Sequence, residues 1–204
     1  MDRKSINLGR PAAFALIIGT LLLFGCIFGT DEKNDKKKSP IVPTCKPLTT
    51  KENVIYNLVL AYNTANLNCY LDLLHEKFTF RLQERDVVQH GLPEYWTREE
   101  DSILTRKIFL AAKGQHPDSN RNIDRLELTI EDGSWQQVSE FLGNPCDDCW
   151  QTTREYLITV VMEGGNTTLY GNDLVQFTVV PVMEGGKKLY KIGRADDVQK
   201  STGL

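Results

Sequence analysis

The sequence predicts an α+β fold, a curved antiparallel sheet wrapped on an N-terminal helix hairpin with a third helix beside it. Three observations predict it. Helical periodicity is concentrated in the first half of the chain, the second half alternates apolar and polar residues at period two, and glycine-rich turns separate those later segments. The chain has 204 residues, 41% of them hydrophobic and 25% charged, which excludes a disordered, collagenous or fibrous protein. Its formal net charge of −3 offers no field for nucleic acid.

The fold begins after an address and a tether. Arg3, Lys4 and Arg10 precede an uncharged apolar run, Ala12–Phe24. That run is too short for a spanning helix, which needs ~20 residues, and suits the apolar core of an export signal. Leu23-Phe24-Gly25-Cys26 resembles a bacterial lipobox. The resemblance implies a lipoprotein signal peptide over residues 1–25. It also implies lipidation of Cys26, with palmitate-type chains, and a membrane anchor at the cell envelope. Ile27 follows, rather than the aspartate that retains many lipoproteins in an inner membrane, so an outer-membrane destination is expected if the host has one. Residues 26–48, with a charged octet at Asp31–Lys38 and then Pro40, Pro43 and Pro47, read as a flexible tether. The domain spans residues 49–198 and a short tail, 199–204, follows.

Thr49-Thr-Lys-Glu52 fits a capping box that opens a helix with Val54, Leu58, Ala61 and Tyr62 on one face. Asn63–Asn68 interrupts it, and a short helix Cys69–His75 follows. Phe78-Thr-Phe-Arg-Leu82 alternates as a strand, and Gly91 and Pro93 mark a loop. Thr97-Arg-Glu-Glu100 caps a third helix to about Ala112, with Ile103, Leu104, Ile108 and Ala111 expected inward. Ile123–Glu131 alternates, and Asp132-Gly133 predicts a hairpin returning through Trp135 and Val138. A loop is expected over 140–149, then long strands near 152–163, 167–182 and 188–195. Val-Met-Glu-Gly-Gly occurs at Val161–Gly165 and again at Val182–Gly186, which reads as the same two-residue turn used in successive hairpins.

The stretch Ala61-Tyr-Asn-Thr-Ala-Asn-Leu-Asn-Cys-Tyr-Leu-Asp-Leu-Leu-His-Glu-Lys-Phe-Thr-Phe80 resembles the opening motif of the nuclear transport factor 2-like superfamily. The closing Lys191-Ile-Gly-Arg-Ala-Asp-Asp197 is similar to that superfamily's last strand. The resemblance covers about residues 50–198. It implies a cone with an internal pocket, shared by ketosteroid isomerase-like and polyketide cyclase-like enzymes and by domains that only bind. Where the isomerases carry a tyrosine and a carboxylate base, this chain has Leu58 and Leu82; Gly171-Asn-Asp173 resembles their late-strand aspartate.

The two Gly-Gly turns, taken as two-residue turns, set strand registers. Asp173 then faces Tyr156 on the inner side, with Arg154 one inward step along, opposite Val175. Arg194 is expected opposite Phe177, with Tyr190 on the same face. These five, Asp173, Tyr156, Arg154, Arg194 and Tyr190, are the pocket candidates. A buried Asp173 needs a partner or must be neutral; one reading is a bond that only locks the sheet, the other a polar cluster orienting a ligand.

Cys146-Asp-Asp-Cys149 has C-x-x-C spacing, but a zinc ribbon needs a second such pair and the sequence has none. In an exported chain the expected outcome is a disulfide. Of the three connectivities four cysteines allow, Cys146–Cys149 with Cys45–Cys69 is favoured, pinning tether to helix hairpin. His75, His90 and His116 are scattered, and no dinucleotide, phosphate-loop or metalloprotease motif is present, so neither metal nor cofactor is expected. Three readings stay open. The first is a lipid-anchored, non-catalytic envelope domain binding a small molecule or a protein partner. The second is an isomerase- or cyclase-like enzyme using Asp173. The third is a dimerisation or scaffolding module pairing through the outer sheet face at Leu157, Val161, Leu174 and Val180.

Overall fold

A computed structural model of the chain describes residues 43–117, 121–165 and 167–198. Cys26, the signal segment and the tail lie outside the described residues. The elements are α1 (Lys51–Asn63), α2 (Leu67–Leu73), β1 (Leu74–Arg81), α3 (Glu84–His90), β2 (Tyr95–Thr97), α4 (Arg98–Ala112), β3 (Ile123–Ile130), β4 (Gln136–Phe141), β5 (Asn144–Met162), β6 (Thr168–Glu184) and β7 (Lys187–Val198). The sheet runs β2-β1-β7-β6-β5-β3, with β4 also paired to β5. All pairings are antiparallel except β1 with β7, which is parallel. The sheet is therefore mixed, because the helix hairpin delivers β1 to the sheet running in the same direction as the last strand. No helix among the described residues is long and apolar enough to cross a membrane.

Helix α1 is capped one residue later than the sequence suggested: the Thr50 side chain accepts from the Asn53 N–H at 3.2 Å. Six apolar residues of α1, from Val54 to Tyr62, are buried against the inner sheet face. Asn57 is also buried, because its side chain clasps the entering chain. Its Oδ1 accepts from the Lys46 N–H at 2.8 Å and its Nδ2 donates to the Lys46 carbonyl at 2.7 Å. The Cys45–Cys69 disulfide fixes the same segment to α2. Edge-to-face contacts join Tyr62 of α1, Tyr70 of α2 and Phe109 of α4, so the helices pack through one aromatic knot.

Helix α4 begins at Thr97 with a full capping box to Glu100. Its inward stripe is Asp101, Thr105, Ile108, Phe109 and Ala111. Ile103, expected inward, is exposed, and Leu104 is only half-buried. The stripe is shifted because α4 turns a carboxylate and a hydroxyl toward the helix hairpin.

Asp132-Gly133 makes no hairpin. Strands β3 and β4 lie end to end along the same edge of β5, both antiparallel to it. Arg154 holds the crossing between them: its guanidinium donates to the Glu131 and Gly133 carbonyls, each at 3.2 Å. The expected loop over 140–149 is instead a tight hairpin at Leu142-Gly143, both residues at positive φ, followed by the start of β5. A bulge there brings Cys146 and Cys149 together as the second disulfide, Cα atoms 5.6 Å apart. Asp148 in that bulge accepts from Trp150 Nε1, Lys188 Nζ and Tyr190 OH at 2.6–2.7 Å.

Strands β5 and β6 pair in the register the Gly-Gly turn dictates, Tyr156 opposite Asp173 and Arg154 opposite Val175. The β6–β7 pairing starts in its expected register, Val179 opposite Ile192, and then slips by one residue at Gly193, so that Arg194 opposes Thr178 rather than Phe177. The bulge sits where the Phe141 ring crosses β7. A Cβ on Gly193 would stand 2.6 Å from Phe141 Cζ and 3.1 Å from Val180 Cγ1. Val180 is consequently buried, and of the outer-face residues considered for pairing only Leu157 is exposed. Replacing Gly193 by Val should drive Phe141 off the strand and destabilise the chain by about 1–3 kcal/mol, the ordinary cost of overpacking. Urea unfolding measures it; an unchanged midpoint would show that the hairpin tip is not packed there.

Candidate functional site

Between the helices and the concave sheet face lies a cavity with about 70 Å³ open to the centre of a water-sized sphere. That space exceeds what one water needs. Leu58 and Tyr62 of α1, Tyr70 of α2, Phe78 and Phe80 of β1, Val175 and Phe177 of β6, and Ile192 and Ala195 of β7 make most of an apolar wall. Leu58, which takes the tyrosine's place in the isomerase pattern, is thus part of that wall, whereas Leu82 is buried in the chain beyond β1 and is not among the lining residues. The titratable lining comprises three tyrosines, Tyr62, Tyr70 and Tyr156, and two acids, Asp101 and Asp197.

Asp101 reaches the cavity from α4, and its Oδ2 accepts from Tyr70 OH at 2.6 Å. Burial pushes its carboxyl up to about 6, against that hydrogen bond. Burial also pushes the Tyr70 phenol well above its ordinary value, with the Asp101 charge adding to the effect. Asp101 and Tyr70 thus share one strong bond across the helix packing.

Asp197 reaches the cavity from the end of β7. Its Oδ1 accepts from Gln83 Nε2 at 3.0 Å, and its Oδ2 is buried without a hydrogen-bond partner. Gln83 precedes α3, but its side chain makes no cap for that helix. The amide instead bridges Asp197 to Asp173 Oδ2, at 3.2 Å. Asp86, in the first turn of α3, completes the group. It is fully buried, neither carboxylate oxygen has a hydrogen bond, and Arg85 Nε stands 4.0 Å away. Burial pushes the Asp197 carboxyl up to about 7, the Gln83 bond opposes it, and the charges of Asp173 and Asp86 push the same way as burial. Burial and the three neighbouring aspartates, Asp197 first, likewise raise the Tyr156 phenol well above its usual range.

The sequence-chosen residues separate. Tyr156 stands in the cavity wall. Asp173 is on the inner face and buried, but it lies behind the wall, held by Gln83 and by the Leu174 N–H at 2.9 Å. Arg154 is buried and spent on the β3–β4 crossing, with Trp135 under its guanidinium at 5.3 Å. Of the five candidates Tyr156 is the one that lines the cavity, and the last two, Arg194 and Tyr190, lie away from it altogether. The bulge at Gly193 turns Arg194 to the outer face, where it pairs with Asp196 at 2.7 Å. Tyr190 keeps the inner parity but sits beyond the cavity and is taken by Asp148. Sequence reasoning missed Asp101, Asp197, Gln83 and Tyr70. A carboxylate within the buried stripe of a capped helix was the available signal for Asp101. Among the described residues no cluster of acids, histidines or cysteines could hold a metal ion.

No protein-family profile matches the sequence, and no curated protein is similar to it in sequence. Solved structures do resemble it. A candidate aromatic ring hydroxylase from Novosphingobium aromaticivorans superposes with a TM-score of 0.52 at 13% identity, covering 75% of this chain and 87% of that one. A nuclear transport factor 2-like superfamily protein from Salmonella enterica gives 0.48 at 7% identity, over 74% of this chain and 89% of that one. A hexachlorocyclohexane dehydrochlorinase from Novosphingobium barchaimii gives 0.47 at 8%, over 75% and 88%. At such identities the likeness is one of fold.

The raised carboxyls make stability depend on pH with a definite sign. Asp197 and Asp101 hold protons more tightly folded than unfolded, where the ordinary value is 3.8. The folded chain therefore binds more protons between about pH 4 and 7, and stability should fall as pH rises through that window. Asp148 acts oppositely: its hydrogen bonds to Lys188 and Tyr190 lower it to about 2, so its contribution is lost only as pH falls below about 4. Asp197→Asn should lose part of the decline between pH 4 and 7. It should exceed the wild type above pH 7 by on the order of 2–4 kcal/mol. Parallel urea titrations at both ends of the window test this, and equal slopes for the two proteins would refute it.

Proposed function

We propose that this chain, which has the nuclear transport factor 2-like fold, is a lipid-anchored domain of a bacterial cell envelope that holds a small, mainly apolar molecule inside its cone. The observation that carries the reading is the cavity, walled by aliphatic and aromatic side chains from both helices and sheet, with a few polar groups converging on it. Two disulfides suit an oxidising, exported location. Cys26 in its lipobox-like setting supplies the anchor, and Ile27 after it favours an outer membrane if the host has two. The tether gives the domain reach from that surface. The reading is of a binding domain rather than an enzyme, because Leu58 and Leu82 stand where the isomerase pattern needs proton-handling groups.

One observation favours a second, catalytic reading. A carboxyl raised to about 7 with an oxygen free of hydrogen bonds borders the cavity, and such a group can take and return a proton near neutral pH. It is Asp197, not Asp173, since Asp173 does not line the cavity.

Two experiments test the two parts of the proposal, the anchor and the bound molecule. Cys26→Ser should leave the protein out of the detergent-partitioning membrane fraction or as an unprocessed precursor; normal processing with unchanged partitioning would remove the anchor from the proposal. Native mass spectrometry of the full chain purified from its host should show a retained small molecule. Ala195→Leu, which projects extra carbons into the cavity, should lose that adduct while unfolding at nearly the wild-type temperature. An adduct that survives Ala195→Leu would place the ligand elsewhere.

A further inference from the structure

We propose that the molecule held in the cavity is a hydrophobic amine, its apolar body on the aromatic wall and its ammonium group on Asp197 Oδ2. The inference rests on the binding reading above and names the class of ligand.

The charges on the cavity wall are of one sign. Among the described residues, both acids that line it, Asp101 and Asp197, can carry negative charge, and none of its lining residues is a lysine, arginine or histidine. The two acids differ in what they have left to offer. Asp101 already receives the Tyr70 hydroxyl at 2.6 Å. Asp197 is 8% exposed, and its Oδ2 has no hydrogen-bond partner. A buried acceptor left empty costs about 1–3 kcal/mol, and a donor brought by a ligand recovers it.

What stands behind Asp197 decides between donors. Asp173 shares the Gln83 amide with it, and Asp86 is fully buried with both oxygens lacking hydrogen bonds. The cation beside this group, Arg85, approaches Asp86 no closer than 4.0 Å with its side chain 41% exposed, and it donates to Gln83 Oε1 at 3.4 Å, so it offsets the negative charge only in part. A ligand carboxylate or phosphate would add another negative charge to this set. A neutral hydroxyl would supply the missing donor without relieving the repulsion. An ammonium does both, and Phe78, Phe80 and Phe177 line the same wall, aromatic rings of the kind that attract a cation. A bare metal ion is a poorer fit, since no group of acids among the described residues is arranged to share one. The size of the cavity suits a compact ring or a short branched chain.

The test compares molecules of one shape. Cyclohexylamine, cyclohexanol, cyclohexanone and cyclohexanecarboxylate are titrated by calorimetry into the full chain in detergent, at a pH about one unit above the Asp197 carboxyl. The amine should bind about tenfold tighter than the alcohol, the scale of a charge-assisted hydrogen bond, and the carboxylate should not bind. Asp197→Asn should erase the amine's advantage and leave the alcohol's affinity nearly intact. Asp86→Asn, which only weakens the field behind the site, should reduce the advantage partly, and it keeps the test open if the first variant folds poorly. Alcohol or ketone binding as tightly as amine in the wild type would overturn the inference and leave the binding reading standing. An amine preference that persists in Asp197→Asn would also overturn it. Failure of every ring to bind would overturn the binding reading itself.

Discussion

Twelve consecutive residues of β5 pair with β6 without a slip, from Trp150 opposite Val179 to Val161 opposite Thr168. Side chains alternate across a strand, so this one register assigns every inner and outer residue of the two longest strands. It turns Tyr156 and Ile158, with Val175 and Phe177, toward the helices, where they become cavity wall. It also buries Asp173 and Arg154, which must then find partners. They do so in different ways. Arg154 satisfies itself on the carbonyls of the β3–β4 crossing, and Asp173 recruits Gln83 from the chain that follows β1. The pairing of two strands thus fixes the crossing of two others and the entry to α3.

Which charged residues of β7 face the cavity depends on a single extra residue. Had β7 continued in its initial phase, Arg194 and Asp196 would share the inner face with Ile192. Gly193 bulges out of the pairing and reverses the phase, so Ala195 and Asp197 line the cavity while Arg194 and Asp196 pair outside. Glycine is needed at that point because the Phe141 ring occupies the space of a side chain. The ring belongs to the β4–β5 hairpin and meets His75 edge-on at 5.6 Å, near the start of β1. A contact on one side of the sheet therefore selects which charge appears on the other.

These dependencies explain what could be read in the chain before its structure. The helices α1 and α4 were legible because capping and apolar spacing are local, although α1 starts one residue late and the α4 stripe is rotated. The β5–β6 register was legible because Gly164-Gly165 is a turn of known length, and the β6–β7 register was legible only as far as Gly193. The bulge depends on a ring fifty residues away in sequence, so Arg194 was placed inside. Asp132-Gly133 has hairpin chemistry, yet Arg154 and the edge of β5 draw the chain straight on. Helix α3 has no apolar repeat: Val88 is exposed and the residue it buries is Asp86, so the chain offered no apolar stripe from which to read it.

The two carboxylates in the cavity illustrate a general consequence of that placement. Each was costly to bury, and each is accommodated differently. Asp101 is offset by a phenol on a neighbouring helix, which makes it part of the packing between α2 and α4. Asp197 is offset only in part, by an amide it must share with another acid, and one of its oxygens stays empty. A fully satisfied buried network specifies a fold; a partly satisfied one stores an unfavourable energy that a bound group can release. The two acids are thus told apart by what remains unmade at each, since burial raises the proton affinity of both.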